Sequence, residues 1–138
     1  MNLLLDPRSA ALLAEKTAHL IVAGRELSAF GEEDPSLAGE CGVEICSLEA
    51  RTILSSGAPI RVAQLAGEAA RSRRQVSVSS QDLETLSRLE AVVAMGSSRI
   101  GLKLATLDAS ASQEPMARLG NLIGLATGAA GLIRSLLS

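Results

Sequence analysis

Apolar residues recur along much of this chain at the spacing of an amphipathic helix. The first such stretch follows Asp6 and Pro7, a typical helix start in which a carboxylate caps free amides and a proline occupies the first helical position. The apolar residues that then share one helical face are Leu13, Leu20, Leu27 and Phe30. The pattern predicts a first helix over residues 7–30, which Gly31 ends.

Residues 31–42 are acidic and contain three glycines and a proline. This composition predicts a loop, and we expect it to be the most mobile internal segment because glycine leaves the backbone unconstrained and like charges repel. The acidic triplet at 32–34 lacks the ligand spacing of a calcium-binding loop. We therefore interpret it as a solvated charge cluster and predict no metal site.

The middle of the chain predicts two shorter helices. One runs from Ser47 to about residue 55, and the preceding segment 43–45 is left open as a strand. Residues 55–59 predict a break, after which Pro59 starts a helix that apolar residues predict over 60–73. The densest basic cluster lies at its end: Arg71, Arg73 and Arg74. This position favours a solvated helix terminus, where cations complement the helix dipole, with an anion contact as the alternative.

Residues 75–78 alternate between polar and apolar and predict one short strand or extended link. Ser79 and Asp82 then resemble a capping box and open a fourth helix, which Gly96 interrupts or kinks. The small polar residues at 108–114 predict a link to a last helix.

Residues 116–137 predict a helix rich in glycine and alanine. At about 100° per residue, four glycines fall within an arc of roughly 80°. They are Gly120, Gly124, Gly128 and Gly131. Each glycine costs about 1 kcal/mol of helix stability relative to alanine, so this face is expected to make close backbone contact with another element.

Three interpretations of this glycine face stay open. It packs against the fourth helix inside the monomer, it binds a second copy or another protein, or it contacts a membrane. The uncharged run between Arg118 and Arg134 is 15 residues long. At 1.5 Å per residue it measures roughly 22 Å, which is short of the roughly 30 Å needed to span a bilayer.

Together these elements predict an all-α fold, with about five helices in a compact bundle and a single domain over residues 1–138. Phe30 is the one aromatic residue, and a core of aliphatic and alanine side chains suits closely packed helices better than a sheet. The formal net charge of −2 carries no basic field, so no nucleic-acid partner is expected. The first five residues are too short for a secretory leader, which favours a cytoplasmic protein.

A short segment around the single histidine allows a second interpretation. Residues 18–21 (Ala-His-Leu-Ile) resemble the Ala-His-x-Ile/Leu segment of histidine phosphotransfer domains, which are four-helix bundles of about this length. The resemblance implies that His19 would carry the phosphoryl group. That family places lysine and glycine directly afterwards, whereas Val22 and Ala23 stand here, so the nearby cation is missing. A lone histidine at the edge of an apolar stripe is instead interpreted as structural.

Residues 65–84 resemble the helix–short strand–helix unit shared by the histone fold and the C-terminal lid of AAA+ ATPases. The likeness covers about 20 residues and is treated as a matter of local geometry. The chain contains no phosphate-binding P-loop motif, which argues against an ATPase. Its charge is too low for histone-like DNA binding.

No motif in the sequence identifies a reaction or a cofactor. Cys41 and Cys46 are not spaced like a redox or zinc pair and are expected to be buried and reduced. No nucleophilic serine elbow occurs. The sequence therefore favours a non-enzymatic component of a larger assembly that self-associates or binds another protein through its glycine face. A phosphotransfer module using His19 and a membrane-contacting helix are the alternatives.

Overall fold

Helices surround one long central helix in the computed structural model of the protein, which describes residues 2–106. The elements in chain order are β1 (Asn2–Leu5), α1 (Pro7–Glu33), α2 (Pro35–Cys41), α3 (Glu44–Ser55), α4 (Ala58–Arg71), β2 (Val76–Ser79) and α5 (Ser80–Thr106). The predicted all-α class is confirmed, with a short two-stranded sheet added. The predicted link at 108–114 and the predicted last helix at 116–137 lie outside the described residues.

The central helix is α1, which packs against α3, α4 and α5. Close contacts fix the directions of its neighbours. The Ser47 hydroxyl donates to the carbonyl of Ser28 at 3.2 Å, and Leu54 faces Gly24, so α3 runs antiparallel to α1. Most of the largest fully buried side chains come from α1 and α5, and the others come from α4, β2 and the residue before α3. They are Phe30, Leu13, Leu20, Leu83, Leu86, Leu89, Ile100, Val43, Val62 and Val78.

The start of α1 follows the predicted cap. The Asp6 carboxylate accepts a hydrogen bond from the backbone amide of Ser9 at 2.7 Å, and Pro7 occupies the first helical position. This hydrogen bond favours the ionised carboxylate and lowers the pKa of Asp6.

We predict that Asp6→Ala lowers the melting temperature at neutral pH, whereas Asp6→Asn, which can still cap, changes it little. Because folding lowers the pKa of Asp6, its stabilisation is present above the unfolded-state pKa of about 3.9 and is lost as the pH falls through the lower folded-state value. Thermal unfolding of the three proteins between pH 2 and 7 tests this. A melting temperature for Asp6→Ala that matches the wild type at pH 7 would show that the cap is dispensable.

The predicted loop at 31–42 is wrong. α1 continues to Glu33, Asp34 caps α2 by accepting from the amide of Leu37 at 3.4 Å, and Gly42 ends α2 in the left-handed region with φ of +73°. Gly31 does not end α1. A Cβ atom at this position would lie 2.6 Å from the Cβ of Ser47, so glycine is needed where α1 and α3 cross closely.

Other boundaries also differ from the prediction. α3 begins at Glu44, which removes the strand that was left open at 43–45, and α4 begins at Ala58 and ends at Arg71 rather than spanning 60–73. Gly96 does not interrupt α5. It faces Leu27 of α1, whose side chain would lie 3.1 Å from an added Cβ, so this glycine also serves helix packing.

The predicted extended link is a strand, β2, and it pairs antiparallel with β1. Leu5 lies opposite Val76 and Leu3 lies opposite Val78, so these four side chains share the inner face. Leu4 points the other way and is exposed. β1 was not predicted because a segment of four residues is too short to show a period of its own.

Candidate functional site

An exposed apolar surface lies where α3 and α5 pack side by side. Ion pairing of Glu40 with Lys103 at 3.5 Å joins the end of α2 to the end of α5, and the Arg99 guanidinium donates to the carbonyl of Gly42. Leu54, at the other end of α3, and Leu89, ten residues before Arg99 in α5, both face Gly24. α3 and α5 are therefore antiparallel, and a shallow groove runs between them.

This groove has a volume of about 290 Å³. The residues that line it are Ile45, Cys46, Glu49, Arg88, Ala91, Val92, Met95 and Arg99. Ile45 is 68% exposed and Met95 is 52% exposed, which is high for large apolar side chains. Leu48, one turn after Ile45 in α3, and Leu102, two turns after Met95 in α5, extend the same exposed faces in opposite directions along the groove. We call the groove together with Leu48 and Leu102 the α3–α5 surface.

The floor of the groove is apolar and its rim is charged. Cys46 and Val92 are buried beneath it, and burial raises the pKa of the Cys46 thiol, which favours its protonated form. Glu49 lines α3, while Arg88 and Arg99 line α5. An apolar trough with charged edges suits an amphipathic helix laid along it.

The two cysteines behave as the sequence predicts. Cys41 and Cys46 are both buried and unbonded, and burial raises the pKa of each thiol. Within residues 2–106, no group of histidine, cysteine and carboxylate side chains is arranged to hold a metal ion.

A second groove, of about 480 Å³, separates α1 from α4. Its exposed apolar side chains are smaller or better covered, with Val22 45% and Ile60 40% exposed. Arg25 and Arg71 stand among its lining residues. The large apolar side chains of this groove are therefore less exposed than Ile45 and Met95 of the α3–α5 surface.

The His19 side chain is exposed on α1 and lines neither of these grooves. This placement differs from the packed histidine that a structural role suggests. A role in phosphotransfer stays a prediction.

The basic cluster at the end of α4 is solvated, as the sequence favours. All three arginines, Arg71, Arg73 and Arg74, are exposed, and Arg74 pairs with Glu68 at 3.7 Å. The segment from 65 to 84 has the helix–strand–helix order that the histone-like resemblance implies. Its strand pairs with β1 of the same chain.

The predicted binding residues Gly120, Gly124, Gly128 and Gly131 lie outside the described residues. The α3–α5 surface was not predicted. Its signal in the sequence is that Ile45, Met95 and Leu102 are large apolar residues on the outer faces of their helices. No helix in the described part of the chain is long and apolar enough to cross a membrane.

Comparison of the chain with protein-family models, with curated proteins and with solved structures gives no match.

Proposed function

We propose that this protein is a non-enzymatic, cytoplasmic assembly component that self-associates by binding an apolar helix on the α3–α5 surface. The observation that carries the proposal is the exposure of Ile45 and Met95 on the two walls of one groove, at 68% and 52%. Burying such side chains in a contact is favourable by about 25 cal/mol for each Å² of apolar area removed from water. Methionine also adapts its shape to a partner better than a branched side chain does.

Two features of the groove favour a helix as the bound element. Its walls are themselves helices, and ridges of side chains on a third helix can pack into the trough between them. Ala91 lies on the α5 wall, where its small side chain allows a close approach. The charged rim residues Glu49 and Arg99 would fix the orientation of the bound helix more than its affinity.

Phosphotransfer through His19 is the alternative that has one observation in its favour. Its imidazole is exposed, and the chemistry requires that exposure. The family's lysine is missing from the chain after it, so self-association is preferred. Acid-labile phosphate on His19 after incubation with acetyl phosphate, lost in His19→Gln, would support the alternative.

The test of self-association is the mass of the full chain in solution, measured by light scattering over a range of concentrations. We expect a species larger than the monomer, and we expect Ile45→Glu/Met95→Glu to dissociate it. Each glutamate adds a charge that must be desolvated in the contact, so the apparent dissociation constant should rise by about tenfold or more.

The matched control is Val22→Glu/Ile60→Glu, which places the same charges in the α1–α4 groove. This control should keep the mass of the wild type. Both pairs are at least 40% exposed, so both variants should fold, as circular dichroism can verify. A wild-type chain that is monomeric at every concentration, or a mass that both double variants lower equally, would contradict the proposal.

A further inference from the structure

The bound helix on the α3–α5 surface can be identified more closely. We propose that it binds residues 116–137 of a second copy, with the glycine face against the groove, and that two copies exchange these segments reciprocally. This inference rests on the proposed self-association and adds the identity of the bound helix.

The first argument is the position of the chain beyond the described residues. α5 ends at Thr106, on the side of the molecule where Lys103 and Glu40 meet at one end of the groove. The chain continues from there through a polar link into the apolar segment 116–137. In every copy, this apolar segment therefore begins ten residues after Thr106 in the sequence.

The second argument is length. The α5 wall of this surface, from Arg88 to Leu102, covers 14 helical steps, or roughly 21 Å at 1.5 Å per residue. The uncharged run between Arg118 and Arg134 holds 15 residues and, as a helix, is roughly 22 Å long. An apolar helix of this length would fill the groove and leave its terminal arginines beyond the apolar contact.

The third argument is the fit between the two surfaces. Ile45 and Met95 project from the walls of the groove, so an incoming helix must present small side chains between them. A face made of glycines lets the two backbones approach closely, which explains why this segment accepts the cost of four glycines.

The last argument concerns the source of the segment. Within residues 2–106, Ile45, Met95 and Leu102 are all more than half exposed, so the described part of the fold leaves this surface uncovered. Reciprocal exchange produces a closed twofold dimer and fills two identical grooves. It doubles the buried area of one helix contact, toward the roughly 1,200–2,000 Å² typical of stable complexes.

The test uses mixed full-length chains. Thr127→Cys is introduced with Cys41→Ala and Cys46→Ala, and its thiol receives a nitroxide spin label. This spin-labelled chain, which contains no ¹⁵N, is mixed with ¹⁵N-labelled wild-type chain. Only contact between copies can then broaden the amide resonances of the ¹⁵N chain. We expect broadening of α3 and α5 residues around Ile45 and Met95, and little along the outer face of α4.

A steric pair of variants identifies the face that binds. Gly124→Leu/Gly128→Leu should remove the broadening and raise the apparent dissociation constant of the dimer by about tenfold or more, because leucine prevents the close approach. Ala126→Leu/Ala129→Leu adds comparable volume on the opposite face of the predicted helix and should leave both measurements near the wild type.

The possible failures are distinguishable. If Ile45→Glu/Met95→Glu dissociates the dimer while Gly124→Leu/Gly128→Leu does not, the α3–α5 surface mediates self-association and the proposed occupant is wrong. Broadening of α3 and α5 only when label and ¹⁵N share one chain, with a monomeric mass, overturns exchange between copies. Wild-type chains that give neither a dimer nor broadening overturn this proposal together with the proposed function.

Discussion

Replacing Phe30 by alanine is expected to lower the free energy of unfolding by about 3–5 kcal/mol, the usual cost of deleting a large buried ring. Phe30 is fully buried and is the largest side chain of the core, and it lies in α1 directly before Gly31, which faces Ser47 of α3. Marginally stable domains have only about 5–15 kcal/mol in total. Urea unfolding followed by circular dichroism measures the loss.

Two further variants distinguish the cost of creating a cavity from the cost of losing apolar contacts in general. Phe30→Leu keeps most of the apolar volume and should cost less than about half as much as Phe30→Ala. Leu12→Ala removes a leucine from the same helix at a position that is 45% exposed, and we expect a loss below about 1 kcal/mol. Equal losses for Phe30→Ala and Leu12→Ala would mean that Phe30 is not the centre of the core.

The helices of this protein are predictable from sequence because each has a local cause. Asp6 and Pro7 start α1, and Ser79 stands at the junction of β2 and α5, where its hydroxyl accepts from the amide of Asp82 at 3.4 Å. The apolar period of α1 places Leu13, Leu20 and Phe30 in the core, as expected. Caps and periodicity act within a few residues, so they can be recognised without knowing the fold.

The errors occur where a residue serves a distant contact. Gly31 was interpreted by its local tendency to end a helix, whereas its role is set by Ser47, sixteen residues later in the sequence. β1 was missed because its partner, β2, lies more than seventy residues away. The predicted loop failed for both a local and a distant reason: Asp34 and Pro35 were not recognised as a helix start, and Gly31 was read as a stop.

The candidate site likewise combines a feature that is local in the sequence with one that depends on distant contacts. The sequence reveals that 116–137 is an unusual apolar segment, but it does not reveal which surface awaits an apolar partner. Ile45 and Met95 lie on different helices, and only their packing brings them to one groove. A large apolar residue on the outer face of a helix is common on protein surfaces, so neither residue alone could have marked the site.

Gly31→Ala is expected to lower the free energy of unfolding by about 1–3 kcal/mol, although alanine is intrinsically the better helix former by about 1 kcal/mol. The reason is the crossing of α1 and α3. The added methyl would overlap the Ser47 side chain, and Ser47 is itself buried and donates a hydrogen bond to the carbonyl of Ser28. Relief would require the two helices to separate.

Because the overlap involves the Cβ of Ser47 as well as its hydroxyl, the second-site variants make a sharp prediction. Ser47→Gly removes both atoms and should recover most of the loss caused by Gly31→Ala, whereas Ser47→Ala keeps the Cβ at 2.6 Å and should recover little. Gly67→Ala is the matched control. Its Cβ would meet the nearest atom, on the flexible Arg71 side chain, at 3.4 Å, so this substitution should be neutral or stabilising. Additive losses for Gly31→Ala and Ser47→Gly in urea unfolding would show that α1 and α3 are not held at this close approach.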